Sequence, residues 1–270
     1  MANLVGACGQ AGKLPCERGV ASNNAGELLS GGVRFRDGDE EIRHHIGVCA
    51  FSQYTIVDQA SVVKVPRELP AEIAALFGCA MITGGGALMN DAQPKSGDTI
   101  MVVGVGGVGL ATILMALTIK EATVIAVDGL QNKLEHALAI GAHKAMTPAE
   151  VIEKGVKADV VIEAAGNVKA FETGVKALAV GGTLVTVSLP KASDMAEISP
   201  QQLTAGGRTL RGSYMGSAVP NVDIPKYVEL YQAGKLPLEH LVSSYIELDE
   251  INEAMDRLAN GSELRQIIRF

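Results

Sequence analysis

An α/β chain built on a doubly wound parallel sheet is predicted by three observations. A complete strand, glycine turn, helix and second strand lie between Thr99 and Asp128. Short β-branched runs and amphipathic stretches alternate after it as far as Tyr214, and beyond Asp223 that alternation gives way to helices and a closing strand. At 270 residues the chain exceeds one small core, so two domains are expected. Hydrophobic residues make 47% and charged residues 20%, a globular balance. A net charge of -7 without any basic cluster gives no footing on a phosphate backbone, which sets nucleic acid aside as a partner. No apolar run reaches the ~18 residues of a membrane span, and the longest, Thr99 to Leu117, is broken by glycines. The start of the chain has neither the basic flank nor the long apolar core of a secretory signal. Four cysteines are too few for a disulfide scaffold, so a cytoplasmic setting is expected.

Taken in order, residues 1 to 40 read as loop, with a short hairpin where Gly32 to Arg36 meets the turn at Asp37-Gly38. His44-His45 precede strand character over Phe51 to Val57 and Ser61 to Val65, with Cys49 packed in the same run. Adjacent histidines on a strand face opposite ways, so they read as surface or hydrogen-bonded residues before metal ligands. Leu69-Pro70 with Glu72 opens a helix towards Cys79, and Thr83 with Gly84 to Gly86 leads into another helical stretch. Pro94 to Asp98 is the turn into a strand over Thr99 to Val103, followed by a helix over Leu110 to Thr118 and a strand over Thr123 to Val127. A helix over Asn132 to Ile140 closes at Gly141, and Thr147-Pro148-Ala149-Glu150 is a capping box with proline at the first helical position. Strands over Ala158 to Ala164, Gly182 to Ser188 and Leu210 to Tyr214, with a helix over Val168 to Leu178, complete the sheet. Helices over Pro225 to Ala233 and Leu248 to Leu258 and a strand over Gln266 to Phe270 are expected to pack with the N-terminal region as one discontinuous domain.

The chemistry lies at the ends of the Thr99 to Asp128 unit. Gly104, Gly106 and Gly109 fit G-x-G-x-x-G around Val105, Gly107 and Val108: the first glycine permits the tight turn, the second lets backbone approach a pyrophosphate, and the third lets helix pack on strand. Helix N–H groups would then face the phosphates. Asp128 follows Gly109 by nineteen residues, where a carboxylate can accept both ribose hydroxyls of an adenosine, which favours NAD over NADP. A glycine-packed βαβ turn without ligand is the bland alternative, and the strand, helix and distant acid all agree on the dinucleotide.

Further landmarks accompany these: Phe51-Ser52-Gln53-Tyr54-Thr55, Leu69-Pro70, Leu76-Phe77-Gly78-Cys79-Ala80 with Thr83-Gly84, Asp128 with Lys133, and Glu163-Ala164-Ala165-Gly166. Gly181-Gly182, Leu210-Arg211-Gly212-Ser213, Ile251-Asn252-Glu253-Ala254 and the run Gly261 to Ile268 continue the order. From about Cys8 to Phe270 the chain thus resembles the medium-chain, zinc-dependent alcohol dehydrogenase family. The resemblance implies a Rossmann NAD-binding domain over 81–214 and a partial, β-rich GroES-like catalytic domain over 1–80, to which residues 215–270 return. It implies Cys79 as the thiolate ligand of a catalytic zinc, Thr83 beside the nicotinamide, and Gly104, Gly106, Gly107, Val108 and Gly109, with Ala165 and Gly166, against the cofactor. It places Asp128 and Lys133 at the adenosine ribose and Arg265 at the pyrophosphate. Taken alone, Cys79 reads as a buried structural cysteine before it reads as a ligand.

Two departures from the family pattern lie at the front. The family segment that carries the other two catalytic zinc ligands and the proton relay has no counterpart in this chain, and one thiolate cannot make a three-ligand open site. Cys8 and Cys16 match the first and last cysteines of the family's structural zinc loop with the middle pair deleted, which leaves too few ligands for a closed tetrahedron. The resemblance therefore implies an NAD-dependent oxidoreductase acting on a small-molecule alcohol or aldehyde, with a catalytically silent NAD(H)-binding sensor or partner subunit and a zinc-free reductase as alternatives. It also implies a homodimer or higher homo-oligomer, paired through the edge strand near Leu210 to Tyr214.

Overall fold

Residues 17–270 are described by the computed structural model, so Cys8 and Cys16 lie outside the described residues. The chain divides into two units: one gathers the chain up to Gly78 with Ala218–Gln232 and Glu239–Phe270, the other Cys79–Ser217 with Ala233–Leu238.

The first unit begins with α1 (Glu17–Ala25), a helix where loop was expected. Gly26 ends it at φ +66, and its carbonyl accepts the His44 N–H at 2.8 Å, which ties the helix to the hairpin that follows. Strands β1 (Phe35–Asp37) and β2 (Glu40–Ile42) pair antiparallel across the expected turn at Gly38. The strands expected over Phe51 to Val57 and Ser61 to Val65 are not formed. That stretch is coil with one 3-10 turn, Gln59–Ser61, capped by Asp58, and Tyr54 is 86% exposed. β-branched and aromatic residues favour a strand only where a neighbour takes up their hydrogen bonds and packs on their side chains, and among the described residues no strand pairs with this stretch beyond a single bridge position at Val62.

A helical run of 22 residues then spans Ala71–Ala92: α2 (Ala71–Leu76), a π-turn (Phe77–Met81), α3 (Ile82–Gly86) and a second π-turn (Ala87–Ala92). Pro70 precedes its first residue, as expected for a residue that lacks an N–H to contribute. This run corrects the expectation that no apolar stretch reaches membrane length. By composition it does, but 72% of its most apolar window is buried in the fold, as in a core helix.

The second unit is a six-stranded parallel sheet. Its elements are β3 (Thr99–Val103), α4 (Gly107–Ala116), β4 (Thr123–Val127), α5 (Gln131–Ala139), β5 (Lys144–Met146), α6 (Pro148–Glu153), β6 (Ala158–Glu163), α7 (Val168–Ala177), β7 (Leu178–Thr186), α8 (Pro200–Gly206) and β8 (Thr209–Gly212). The strand order is β5-β4-β3-β6-β7-β8, the doubly wound order with its reversal between β3 and β6. Strands β3 and β4 are buried from their second residue onward, and Met101, Val103, Ile125, Val127, Val161 and Leu184 form one cluster on a face of the sheet. Each such side chain contributes about 1.5–3 kcal/mol by leaving water. The Thr147 capping box forms as expected: the Thr147 hydroxyl accepts the Glu150 N–H, and Glu150 accepts the Thr147 N–H at 2.9 Å. The part of the 22-residue run that belongs to this unit packs closely within it, for a Cβ at Gly86 would lie 2.4 Å from the Gly216 carbonyl oxygen.

The chain returns to the first unit with α9 (Pro220–Gln232), β9 (Ser244–Ile246), α10 (Ile251–Ala259) and β10 (Gln266–Ile268). Helix α9 starts five residues before Pro225, because Pro220 takes the first-turn place and the Asp223 carboxylate caps the Val219 N–H at 2.9 Å. Strand β10 pairs in parallel with β9.

Candidate functional site

At the reversal of strand order the last residues of the central strands stand in register. Val103 pairs with Val127 on one side and with Glu163 on the other, and Glu163 pairs with Thr186. Beyond this row opens a cavity of about 530 Å³, lined by Gly104, Gly106, Asp128, Gly129, Lys133, Ala164, Ala165, Asn167 and Lys169 among others. It sits outside the carboxyl ends of the strands, where open α/β sheets take their ligands.

The three glycines of the turn do three different things. Gly104 holds φ +95, and a Cβ on it would meet the Ala165 backbone nitrogen at 2.5 Å, so the turn presses on the opposite wall. Gly109 carries no strain in φ, but a Cβ there would lie 1.9 Å from the Gly104 carbonyl oxygen; helix α4 can approach β3 only because that atom is missing. Around Gly106 nothing lies within 4 Å of the place a Cβ would take, and Gly106 itself lines the cavity. Gly106 is also the N-cap of α4 and has no side chain to cap it, so the N–H groups at Gly107 and Val108, which precede the first intrahelical bond from Leu110 to Gly106, receive no side-chain cap from it. An anion in the cavity would supply an acceptor, with the helix dipole in its favour.

Asp128 stands at the end of β4 with each carboxylate oxygen already engaged. Oδ2 accepts the Val105 N–H at 2.8 Å and Oδ1 the Leu130 N–H at 3.0 Å. It therefore braces the glycine turn as well as lining the cavity, and each oxygen keeps lone pairs for a ligand hydroxyl. Lys133, five residues further on, lines the same cavity, as does Ala165; Gly166 follows at φ +74. Lys169 and Asn167, which the sequence reading did not single out, line it too. Asn167 caps α7 by accepting the Ala170 N–H at 2.9 Å, and the N-capping Asn before an amphipathic run was the signal available for it.

The remaining expected site residues are not among those that line this cavity. Cys79 is exposed in the first π-turn, which corrects its reading as a buried structural cysteine. Thr83 is buried in α3, its hydroxyl 3.8 Å from the Met215 sulfur. Arg265 belongs to the other unit, where its N–H donates to Ser243 Oγ at 3.1 Å. Cys49 is half-buried at φ +57 outside any strand, its thiol 3.4 Å from the Arg43 carbonyl oxygen. His44 is buried and His45 exposed, but in a turn rather than on a strand; Nε2 of His44 accepts the Arg34 N–H at 3.2 Å and its ring leans on Phe35. Among the described residues no three His, Cys, Asp or Glu side chains gather where one ion could reach them.

A family model described as zinc-binding dehydrogenase matches residues 107–233. A solved structure named as an alcohol dehydrogenase zinc-binding domain protein from Burkholderia ambifaria is 31% identical, covers 94% of this chain and 71% of that one, and superposes with a TM-score of 0.88. The chain belongs to the zinc-type medium-chain alcohol dehydrogenase family. Benzyl alcohol dehydrogenase of Acinetobacter calcoaceticus superposes on this family member with a TM-score of 0.79 at 30% identity, over 84% of this chain and 64% of that one. Among curated relatives, alcohol dehydrogenase class-2 isozyme 2 of Oryctolagus cuniculus is 36% identical and alcohol dehydrogenase 1 of Trifolium repens 31%, each over 88% of this chain. This alcohol dehydrogenase family member spans 65% of the length of those two relatives.

Proposed function

We propose that this chain binds NAD(H) in the crevice between β3 and β6 and serves hydride transfer between a small alcohol or aldehyde and the nicotinamide. The observation that carries the reading is the open space at Gly106, beside an uncapped helix N-terminus and inside the cavity. A pyrophosphate fits it on sterics and on charge together. The nicotinamide, when bound, supplies the hydride acceptor or donor. The chain's own residues orient it: the α4 N–H groups hold the pyrophosphate, Asp128 takes the adenosine ribose hydroxyls and repels a 2′-phosphate, and Lys133 and Lys169 lend positive charge to the crevice. Thr83 is assigned to the nicotinamide side and Arg265 to the pyrophosphate by family position.

The described residues do not fit zinc. Cys79 has no companion ligands among them, and a catalytic zinc needs three protein ligands around one open position. That same observation favours a second reading, an NAD(H)-binding protein without turnover. Calorimetric titration with NAD⁺ and NADP⁺, followed by NAD⁺ reduction assays with simple alcohols, tests both. Tighter binding of NAD⁺ than NADP⁺ supports the site; binding without reduction selects the second reading; no binding of either at millimolar concentration overturns both.

A further inference from the structure

Glu163 is the last residue of β6 and only 1% exposed, and neither the glycine turn nor the Asp128 end of the crevice uses it. Its Oε1 accepts two backbone N–H groups, from Ala165 at 2.8 Å and Gly166 at 3.0 Å. Its Oε2 accepts the Thr186 hydroxyl at 2.6 Å and the Ser188 hydroxyl beside it. Four donors on two oxygens match an ionised carboxylate, which can only accept. Among the described residues no ion pair involves Glu163. A negative charge is thus held at the end of the sheet by four hydrogen bonds, without a cation beside it among the described residues to neutralise its field.

A doubly wound sheet takes a dinucleotide across two mononucleotide halves, one on each side of the strand reversal. Asp128 marks the adenosine half at the end of β4; the other half must lie over β6 and β7. A second cleft of about 200 Å³ opens there, lined by Glu163, Phe171, Thr186, Ser188 and Pro190, and it shares Asn167 with the larger cavity. Glu163 also fixes the turn Ala164 to Gly166, against whose Ala165 nitrogen Gly104 is pressed. The carboxylate therefore locks the far wall of the crevice to the end of β7.

Resting on the reading that the crevice takes NAD(H), we propose that Glu163 is a positioning residue for the nicotinamide half of the site, and that its buried charge shifts the site's balance towards the oxidised, cationic nicotinamide compared with a neutral residue in its place. Low-dielectric surroundings carry such a field further than water does. The test measures Kd for NAD⁺ by calorimetry and for NADH by fluorescence titration in the full chain. In Glu163→Gln, whose amide preserves the shape and whose neighbouring hydroxyls can turn to accept, Kd for NAD⁺ is expected to rise about three- to tenfold relative to Kd for NADH. A ratio unchanged within twofold, in a variant that melts and binds normally, overturns the charge effect. Ser188→Ala removes one tether and keeps the charge, so both constants should rise severalfold with their ratio held. Unchanged constants there overturn the positioning role, whether or not the glutamine variant folds. Failure of the unsubstituted chain to bind either form would instead remove the underlying reading, and the proposal with it.

Discussion

Two of the glycines in the turn should separate folding from binding. Ala at position 109 would place a methyl 1.9 Å from the Gly104 carbonyl oxygen, about 1.5 Å inside ordinary 3.4 Å contact, and the obstacle is backbone that cannot rotate away. Overpacking of this kind costs about 1–3 kcal/mol, and here the upper end is expected. At ~2–4 °C per kcal/mol, Gly109→Ala should lower the melting temperature by roughly 6–12 °C. Gly106→Ala meets nothing within 4 Å, and its φ of -94° suits any residue. Loss of glycine at a helix N-cap in favour of alanine costs about 1 kcal/mol or less, so its melting temperature should stay within roughly 4 °C of the parent. Its methyl would nevertheless stand where the pyrophosphate is expected, and NAD⁺ affinity should fall at least about tenfold, equivalent to ~1.4 kcal/mol. Differential scanning fluorimetry and calorimetric titration on the two variants decide the matter. A Gly109→Ala protein that melts like the parent would refute the close approach of α4 to β3, and a Gly106→Ala protein that binds NAD⁺ unchanged would refute the placement of the phosphates.

Asp128→Ala should reduce the preference for NAD⁺ over NADP⁺ about tenfold and also destabilise the turn by about 1–3 kcal/mol, since the Val105 and Leu130 N–H groups lose their acceptors; equal cofactor affinities in the parent would count against the first part. Burial and, second, the charge of Arg34 hold the His44 imidazole below its usual 6.5, so the unfolded chain takes up this proton first: stability is full above about pH 6.5 and is lost as pH falls below it. Melting curves between pH 7.5 and 5 should show that loss diminished in His44→Gln, and an identical slope in both proteins would rule His44 out as its source. Strand β8 stands at one edge of the sheet, with no further strand beside it among the described residues, so pairing of two copies through that edge predicts at least twice 28.1 kDa in light scattering; a lone 28.1 kDa species at micromolar concentration sinks it.

The sheet was legible because its signals are local. Glycine spacing, β-branched runs and the Thr147 capping box each act within a few residues, and the strands over Thr99 to Val103 and Thr123 to Val127 start and stop where those signals put them. What the sequence hid depends on partners distant along the chain. The helix runs through Gly84 to Gly86, and a Cβ at Gly84 would strike the Val108 carbonyl oxygen at 2.5 Å; closeness to α4, which the sequence does not display, explains that residue type. Phe51 to Val57 carries strand propensity and finds no partner strand among the described residues. Within the site, Asp128 could be placed by its distance from the glycines, but not its bonds to Val105 and Leu130, and nothing near Glu163 in sequence foretold Thr186 and Ser188 as its donors.

The strand order also governs when the crevice can come into being. Each flank of the sheet, β3-β4-β5 and β6-β7-β8, is assembled from consecutive strands, whereas the seam between β3 and β6 joins segments that the whole first flank separates. Closing that longer loop costs more entropy than adding the next strand, so the seam is expected to zip after the flanks have begun to form. A growing polypeptide that has already laid down its glycine turn and Asp128 still lacks one wall of the cleft. Competence to hold a dinucleotide is thus acquired in one late event, when Glu163 comes into register with Val103, rather than accumulated strand by strand.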